Sequence, residues 1–326
     1  FNNYKLGLTL SPIHNTHRTP QEDDDFPIKL PSNPTNEEFM KINGLPLEVG
    51  IYGSRTLGFG DFAVHYFEGY DRLFNLSGVN VYAFGPDKSF SIIDIIYGYR
   101  KTKMVGVGTT LFFGNTTFRG DAALFNSTDK NNETNFSSRT SSYQPQIYDS
   151  LHYSYPLKEK ANYFQATLQF EIDLPFNFRF VGQLFTYDTL DYSSDSLPLD
   201  EDISIPNLEI SVDELDPKNI FTPGYGSSLG VLTKKAVLLS IQKTLADERL
   251  SISVSSLLDI NSLDNSRSIP GVIFSFETTY SIKDNLDLTV GYTNIKGDKN
   301  HPRGDDYRIN IMEDFSHVRT SLKYNF

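Results

Sequence analysis

The chain has 326 residues, 38% hydrophobic and 21% charged, with a formal net charge of −12, a pI near 4.9 and a mean hydropathy of −0.35. No run reaches the 18 or so consecutive apolar residues that a membrane helix needs, which excludes a helical membrane protein. So acidic a balance gives nucleic acid no basic face to bind, and the absence of Cys removes disulfides, thiolate metal sites and Cys nucleophiles.

The length alone would suggest two soluble domains at about 150 residues each. Composition points elsewhere: 25 Phe, 19 Tyr and 22 Gly in a chain that is polar on average fit strands with one wet and one greasy face. The chain opens at Phe1 with neither Met nor a signal-like apolar segment, and so reads as a processed chain or a fragment.

In chain order, period-two alternation predicts strands starting near residues 4, 47, 61, 93, 116, 162, 178, 235, 249, 271, 286 and 315. Phe164, Ala166, Leu168, Phe170 and Ile172 alternate with Gln165, Thr167, Gln169, Glu171 and Asp173. Val272, Phe274, Phe276 and Tyr280 alternate with Ser275, Glu277 and Ser281, and the last segment sets Val318, Thr320, Leu322, Tyr324 and Phe326 against Arg319, Ser321 and Lys323. Charge keeps to one face.

The connections alternate in length. Tight turns at 57–60, 114–115, 174–177, 246–248 and 283–285 alternate with long polar loops at about 12–46, 71–92, 126–161, 190–234, 259–270 and 297–314. A soluble sandwich has no reason to gather its short turns at one end and its long loops at the other, whereas an outer-membrane barrel has periplasmic turns and extracellular loops.

In lipid a β-protein must satisfy its backbone internally and turn apolar side chains outward. Leu6, Leu8, Leu10, Val105, Val107, Leu111, Phe164, Phe170, Val237, Leu239, Ile241, Ile252, Val254, Phe274, Phe276, Leu288 and Val290 are expected on the lipid face. The lumen is expected to take Lys5, Glu48, Asp61, Arg119, Asp121, Glu171, Asp173, Arg179, Arg249, Glu277, Asp287, Arg319 and Lys323, seven acids and six bases that nearly neutralise one another. Each such ion left imperfectly paired in a dry sandwich core would cost several kcal/mol. Tyr4, Tyr52, Tyr66, Phe112, Phe113, Tyr163, Phe185, Tyr187, Tyr280, Tyr292, Tyr324 and Phe326, near strand ends, are expected in interfacial girdles.

The end of the chain, Arg319-Thr320-Ser321-Leu322-Lys323-Tyr324-Asn325-Phe326, resembles the C-terminal assembly signal of Gram-negative outer-membrane β-barrel proteins, with Ser321 where the pattern prefers Gly. The resemblance implies that Tyr324 and Phe326 are read by the barrel-assembly machinery. Glu48 to Arg55, Phe67 to Arg72 and Phe118 to Phe125 are similar to porin-like outer-membrane proteins of unassigned function, whose usual greater length implies the C-terminal portion of a larger barrel. Twelve strands, an even number, suit a complete barrel.

The most acidic stretch holds Asp191, Asp195, Asp200, Glu201, Asp202, Glu209, Asp213, Glu214 and Asp216 with no Lys or Arg. It is either a cation-favouring pore mouth, a divalent-ion site or a solvated loop, and it contains no calcium-loop spacing. Glu22-Asp23-Asp24-Asp25 reads the same way. His14 and His17 fall in a Pro-rich loop, a poor setting for a metal, while His65 and His317 fall on polar faces. No Gly-x-Ser-x-Gly elbow, phosphate loop or dinucleotide fingerprint is present, so neither catalysis nor a cofactor is expected. Three Asn-x-Ser/Thr sequons, at 126, 132 and 135, read as chance in a polar loop.

These readings converge on an all-β, transmembrane antiparallel barrel of about 12 strands spanning 1–326 as one domain in a bacterial outer membrane. It is expected to act as a cation-leaning, porin-like channel for small polar solutes or ions, with a narrow lumen, because about 8 strands fill their interior and about 16 leave an open pore. Its expected partners are outer-membrane lipid, the assembly machinery, and a second copy or an associated outer-membrane protein. The rival is a plugged structural or adhesive barrel, or one that sheathes a partner; an enzyme ranks third.

Overall fold

Alternating side chains become strand throughout the computed structural model, which describes residues 3–16, 46–84, 90–129, 151–195, 221–261, 271–299 and 307–324. The strands are β1 Tyr4–Ser11, β2 Glu48–Leu57, β3 Gly60–Tyr70, β4 Asn75–Phe84, β5 Phe90–Gly98, β6 Lys101–Phe113, β7 Thr116–Thr128, β8 Leu151–Pro156, β9 Lys160–Leu174, β10 Phe178–Ser193, β11 Lys235–Leu245, β12 Leu250–Asp259, β13 Gly271–Lys283, β14 Leu286–Lys296 and β15 His317–Tyr324. Twelve of them form one antiparallel sheet in the order β1-β2-β3-β6-β7-β9-β10-β11-β12-β13-β14-β15. Neighbours in that order are also neighbours in sequence, apart from excursions between β3 and β6 and between β7 and β9.

Those excursions correct two expectations. The segments read as loops at 71–92 and 126–161 contain β4, the first residues of β5, and β8, and these three strands form a separate sheet in the order β5-β4-β8. The strand expected to start near 93 is two elements: β5 ends at Gly98 in the small sheet, and β6 begins at Lys101 in the large one. Gly98 permits the break, since a Cβ there would lie 2.5 Å from Ser77 Oγ.

The tight turns all fall at one end of the large sheet. Gly114 takes φ 60° between β6 and β7, the left-handed conformation that glycine adopts without steric cost. Pro175–Asn177 makes a single 3-10 turn between β9 and β10, and Arg249 N–H donates to the Ala246 carbonyl between β11 and β12. The acidic run at 22–25, His17, and the acids from Asp200 through Asp216 lie outside the described residues, as does Phe326.

Register assigns every strand residue to one of two faces. Through β1, β2, β3 and β6 the aligned set is Leu8, Ile51, Tyr66 and Val105, and through β7, β9, β10 and β11 it is Gly120, Leu168, Leu184 and Val237. Every residue expected on the lipid face lies on this outer face. It is also open: Leu6 is 87% exposed, Val64 57% and Leu168 54%.

Candidate functional site

The inner face carries the polar half of the alternation, and the segment 221–231 folds across it. Gln165 on β9 holds the segment twice, its Nε2 donating to the Tyr225 carbonyl at 3.2 Å and its Oε1 accepting from Ser227 N–H at 2.8 Å. Tyr225 stacks on Phe67 of β3 with ring centroids 4.4 Å apart, and Phe221 packs edge-on against Tyr163 of β9 at 5.6 Å. The Arg72 and Leu73 N–H groups donate to the Gly224 carbonyl at 2.7 and 3.1 Å. Phe125, Ala161, Tyr163 and Phe221 form the buried cluster beneath.

A buried charge hub anchors this segment. Arg100, between β5 and β6, donates from Nε to Asp71 Oδ2 at 2.7 Å, from an Nη to Glu159, and from the other Nη to the Thr222 carbonyl at 2.6 Å. Its guanidinium lies 4.7 Å from the Phe221 ring centre. Thr102 Oγ1 also donates to Asp71, at 2.5 Å. Arg100, Asp71 and Glu159 are all buried. Burial opposes the charge on Arg100, but Asp71 and Glu159 outweigh it and raise its pKa. One guanidinium between two carboxylates leaves an excess negative charge out of water; burial accordingly pushes the Asp71 carboxyl above its usual range, against the pull of Arg100 and Thr102.

Two further hubs tie down the same end. Arg72 grips Glu48 through both carboxylate oxygens, at 2.9 and 2.7 Å, with His14 Nδ1 3.1 Å from Glu48 Oε1. At the end of β12, Asp259 accepts from Thr233 at 2.7 Å and from the Tyr307 hydroxyl at 2.5 Å, joining the segment before β11 to the one before β15. Burial, then the hydrogen bond to Asp259, raises the Tyr307 pKa.

Below the folded segment lies a cavity of about 220 Å³, lined in part by His65, Met104, Asp121, Gln165, Thr167 and Ser227. Asp121 makes no ion pair among the described residues. Among the expected lumen charges, Lys5, Asp61, Arg119, Asp121, Glu171, Asp173, Arg179, Glu277, Asp287, Arg319 and Lys323 do lie on the inner face. Arg119 donates to Glu171 at 2.9 Å and Arg179 to Asp173 at 2.8 Å, while Arg319 pairs with Glu277. Two expectations are corrected. Arg249 sits in the turn before β12, and Glu48, though on the inner face, is buried in its hub with Arg72. The structure also leaves Asp191 and Asp195, at the edge of the acidic run, exposed.

The girdle expectation divides. Tyr4, Tyr66, Phe113, Tyr280, Tyr292 and Tyr324 are on the outer face, but Tyr52 and Phe112 face inward, and Tyr163, Phe185 and Tyr187 are buried on the inner face where strand ends meet the folded loops. The residues not anticipated are Asp71, Arg72, Arg100, Glu159 and Asp259. One signal was available: Gly69-Tyr70-Asp71-Arg72 and Gly98-Tyr99-Arg100-Lys101 repeat a Gly-Tyr-charged-charged pattern on the two sides of the inserted hairpin.

The outer face decides the environment. Exposed apolar side chains in strict alternation, charge on the opposite face, and all short turns at one end reverse the arrangement of a water-soluble sheet. The architecture is that of an outer-membrane β-barrel. No helix among the described residues is long and apolar enough to cross a membrane. No protein-family model and no curated protein matches the chain. Among solved structures, it is similar to the Salmonella typhi outer membrane phospholipase (OMPLA) dimer with bound calcium, at 8% identity over 90% of this chain and 86% of that one with a TM-score of 0.25. It is also similar to outer membrane phospholipase A from Escherichia coli, at 9% identity over 90% and 92% with a TM-score of 0.25. A third is Pseudomonas aeruginosa OccK8 (OprE), at 11% identity over 77% and 68% with a TM-score of 0.27.

Proposed function

We propose that the chain is a passive, porin-like channel of the bacterial outer membrane for small polar solutes or ions, leaning toward cations, and that it is not an enzyme. The observation that carries this reading is the segment 221–231, folded inward against β3 and β9 over a cavity of about 220 Å³. A path narrowed by an inward loop selects by size, and the charges left along it select by sign. Asp121, lining the cavity without an ion pair among the described residues, supports the cation lean, as does the acidic stretch from Asp191 to Asp216 that leads into the segment. The inner-face pairs around Glu171 and Glu277 set a local field across the wall. Tyr324 and Phe326 serve as the signal to the assembly machinery.

The test is single-channel recording in a planar bilayer under a salt gradient. Discrete steps with a reversal potential of cation-selective sign are expected, and replacing Asp200, Glu201 and Asp202 by Asn, Gln and Asn should move that potential toward zero. Silence from a folded, heat-modifiable protein would overturn the channel reading. The second reading, a plugged barrel that binds a partner, is favoured by the β5-β4-β8 sheet, which stands outside the twelve-strand order at the loop end. It gains ground if the protein is folded and does not conduct.

A further inference from the structure

Two inner-face rows meet beneath the folded segment. Register aligns His65, Gly106, Ala123 and Gln165 in one, and Gly108, Asp121 and Thr167 in the next row toward the tight turns. Gly106 and Gly108 leave β6 bare of side chains here, and Asp121 leans across it: a Cβ on Gly108 would lie 2.7 Å from Asp121 Oδ1. Asp121 makes no ion pair among the described residues, and the bases around it are already held. Arg119, two positions along β7, donates to Glu171 at 2.9 Å, and Arg179 on β10 donates to Asp173 at 2.8 Å. Arg72 and Arg100 are locked in their hubs with Glu48, Asp71 and Glu159. Lys5 shares the row of Asp121 but stands four strands along the sheet, about 19 Å away. The other titratable group lining the cavity is His65, whose ring stacks against Tyr52 with centroids 6.3 Å apart. The cavity of about 220 Å³ thus holds one carboxylate that no base neutralises closely.

The rest of the lining decides the occupant. Met104, Ala123 and Phe125 are apolar, and the Gln165 amide is committed to Tyr225 and Ser227. That leaves the Thr167 and Ser227 hydroxyls as neutral acceptors in the same cavity. A hard metal cation that gives up its water takes about six or more oxygen ligands, and among the described residues no three acidic or His side chains come together to hold a metal. An organic ammonium group asks for less: one carboxylate and two neutral acceptors match its three N–H donors, and its carbon chain covers the apolar wall. We propose that this cavity binds a small primary ammonium ion, with the charged nitrogen at Asp121 and the apolar body against Met104 and Phe125. The proposal rests on the channel reading above and narrows its solute class from cations in general to small amines.

The test uses the full chain folded in neutral detergent, with binding read by ligand-observed saturation-transfer NMR. The probes are n-butylammonium, n-butanol and butyrate, which share a chain and differ in charge. Wild type should bind butylammonium saturably and neither of the others, and potassium ion at equal concentration should not displace it. Asp121→Asn, which keeps the side chain's shape, should weaken binding by about tenfold or more. Gly108→Ala keeps the charge but pushes the carboxylate off β6, and should weaken binding by about threefold or more. Asp247→Asn removes a carboxylate from the turn between β11 and β12 and should leave binding unchanged. Wild-type affinity in Asp121→Asn or in Gly108→Ala, equal binding of butanol, or displacement by potassium would each overturn the proposal. Potassium conductance of the same preparations in a planar bilayer is recorded in parallel. A protein that conducts but binds no butylammonium overturns the amine site alone; one that binds it at Asp121 without conducting overturns the channel reading and the site's place on a path.

Discussion

Arg100 joins three chain segments through one planar group: Asp71 after β3, Glu159 before β9 and the Thr222 carbonyl of the folded segment. Removing one member of a buried ionic group strands its partners, at a cost of about 3–5 kcal/mol. Arg100→Met should therefore destabilise the folded barrel by about that amount, read as a lower urea midpoint in lipid vesicles; an unchanged midpoint would remove the hub from the stability argument. The raised Asp71 pKa fixes the sign of a pH dependence. A carboxyl whose folded pKa lies above its unfolded value, near 3.8, binds its proton more tightly when folded, so stability rises as pH falls from neutral through the raised value and levels off below 3.8. Asp71→Asn should flatten that slope on the side above pH 3.8, measured as the change in urea midpoint with pH relative to wild type. The hub was hidden in the sequence for a physical reason: Asp71 and Arg100 lie 29 residues apart, and an ion pair leaves no periodic trace. The inner-face charges were legible because they sit at every second position of strands whose other face is apolar.

At the scale of elements, the segment 221–231 depends on one backbone conformation. Gly226 takes φ 104°, and a Cβ there would lie 2.1 Å from Gln165 Oε1, the atom that accepts from Ser227 N–H. Gly226→Ala is thus strained by its backbone and by the collision, and should release the Gln165 latch. If the segment narrows the path, single-channel conductance rises in Gly226→Ala and in Gln165→Ala, whose latch is removed from the other side; conductance equal to wild type in both would take the segment out of the path. The strands of the large sheet were readable because lipid on one side and water on the other enforce a period of two. The strands β4, β5 and β8 were not, since their sheet lies apart from the order that carries this pattern, and only two residues separate the apolar run of β5 from β6. Tyr163 carries its face assignment in the sequence. It alternates with Phe164, so Phe164 facing outward already assigned Tyr163 to the inner face, under Phe221.

For the whole molecule the deciding quantity is the environment of the outer face. Leu168 lies in the middle of β9 on that face, paired with Leu184 on one side and Gly120 on the other, and is 54% exposed. A leucine this open on a water-soluble sheet is replaced by arginine almost without cost, because both side chains face solvent. In a bilayer the same change puts a charge near the hydrocarbon midplane of a barrel wall, at about 2–4 kcal/mol. Leu168→Arg should therefore lower the urea midpoint in vesicles, and Lys103→Ala, on the same face but level with the headgroups, should change it little. The depth dependence is the informative part, since a general packing defect would not follow height along the strand. Equal effects at both positions would mean that the outer face is not in lipid, and the conduction path and the assembly signal would lose their common foundation.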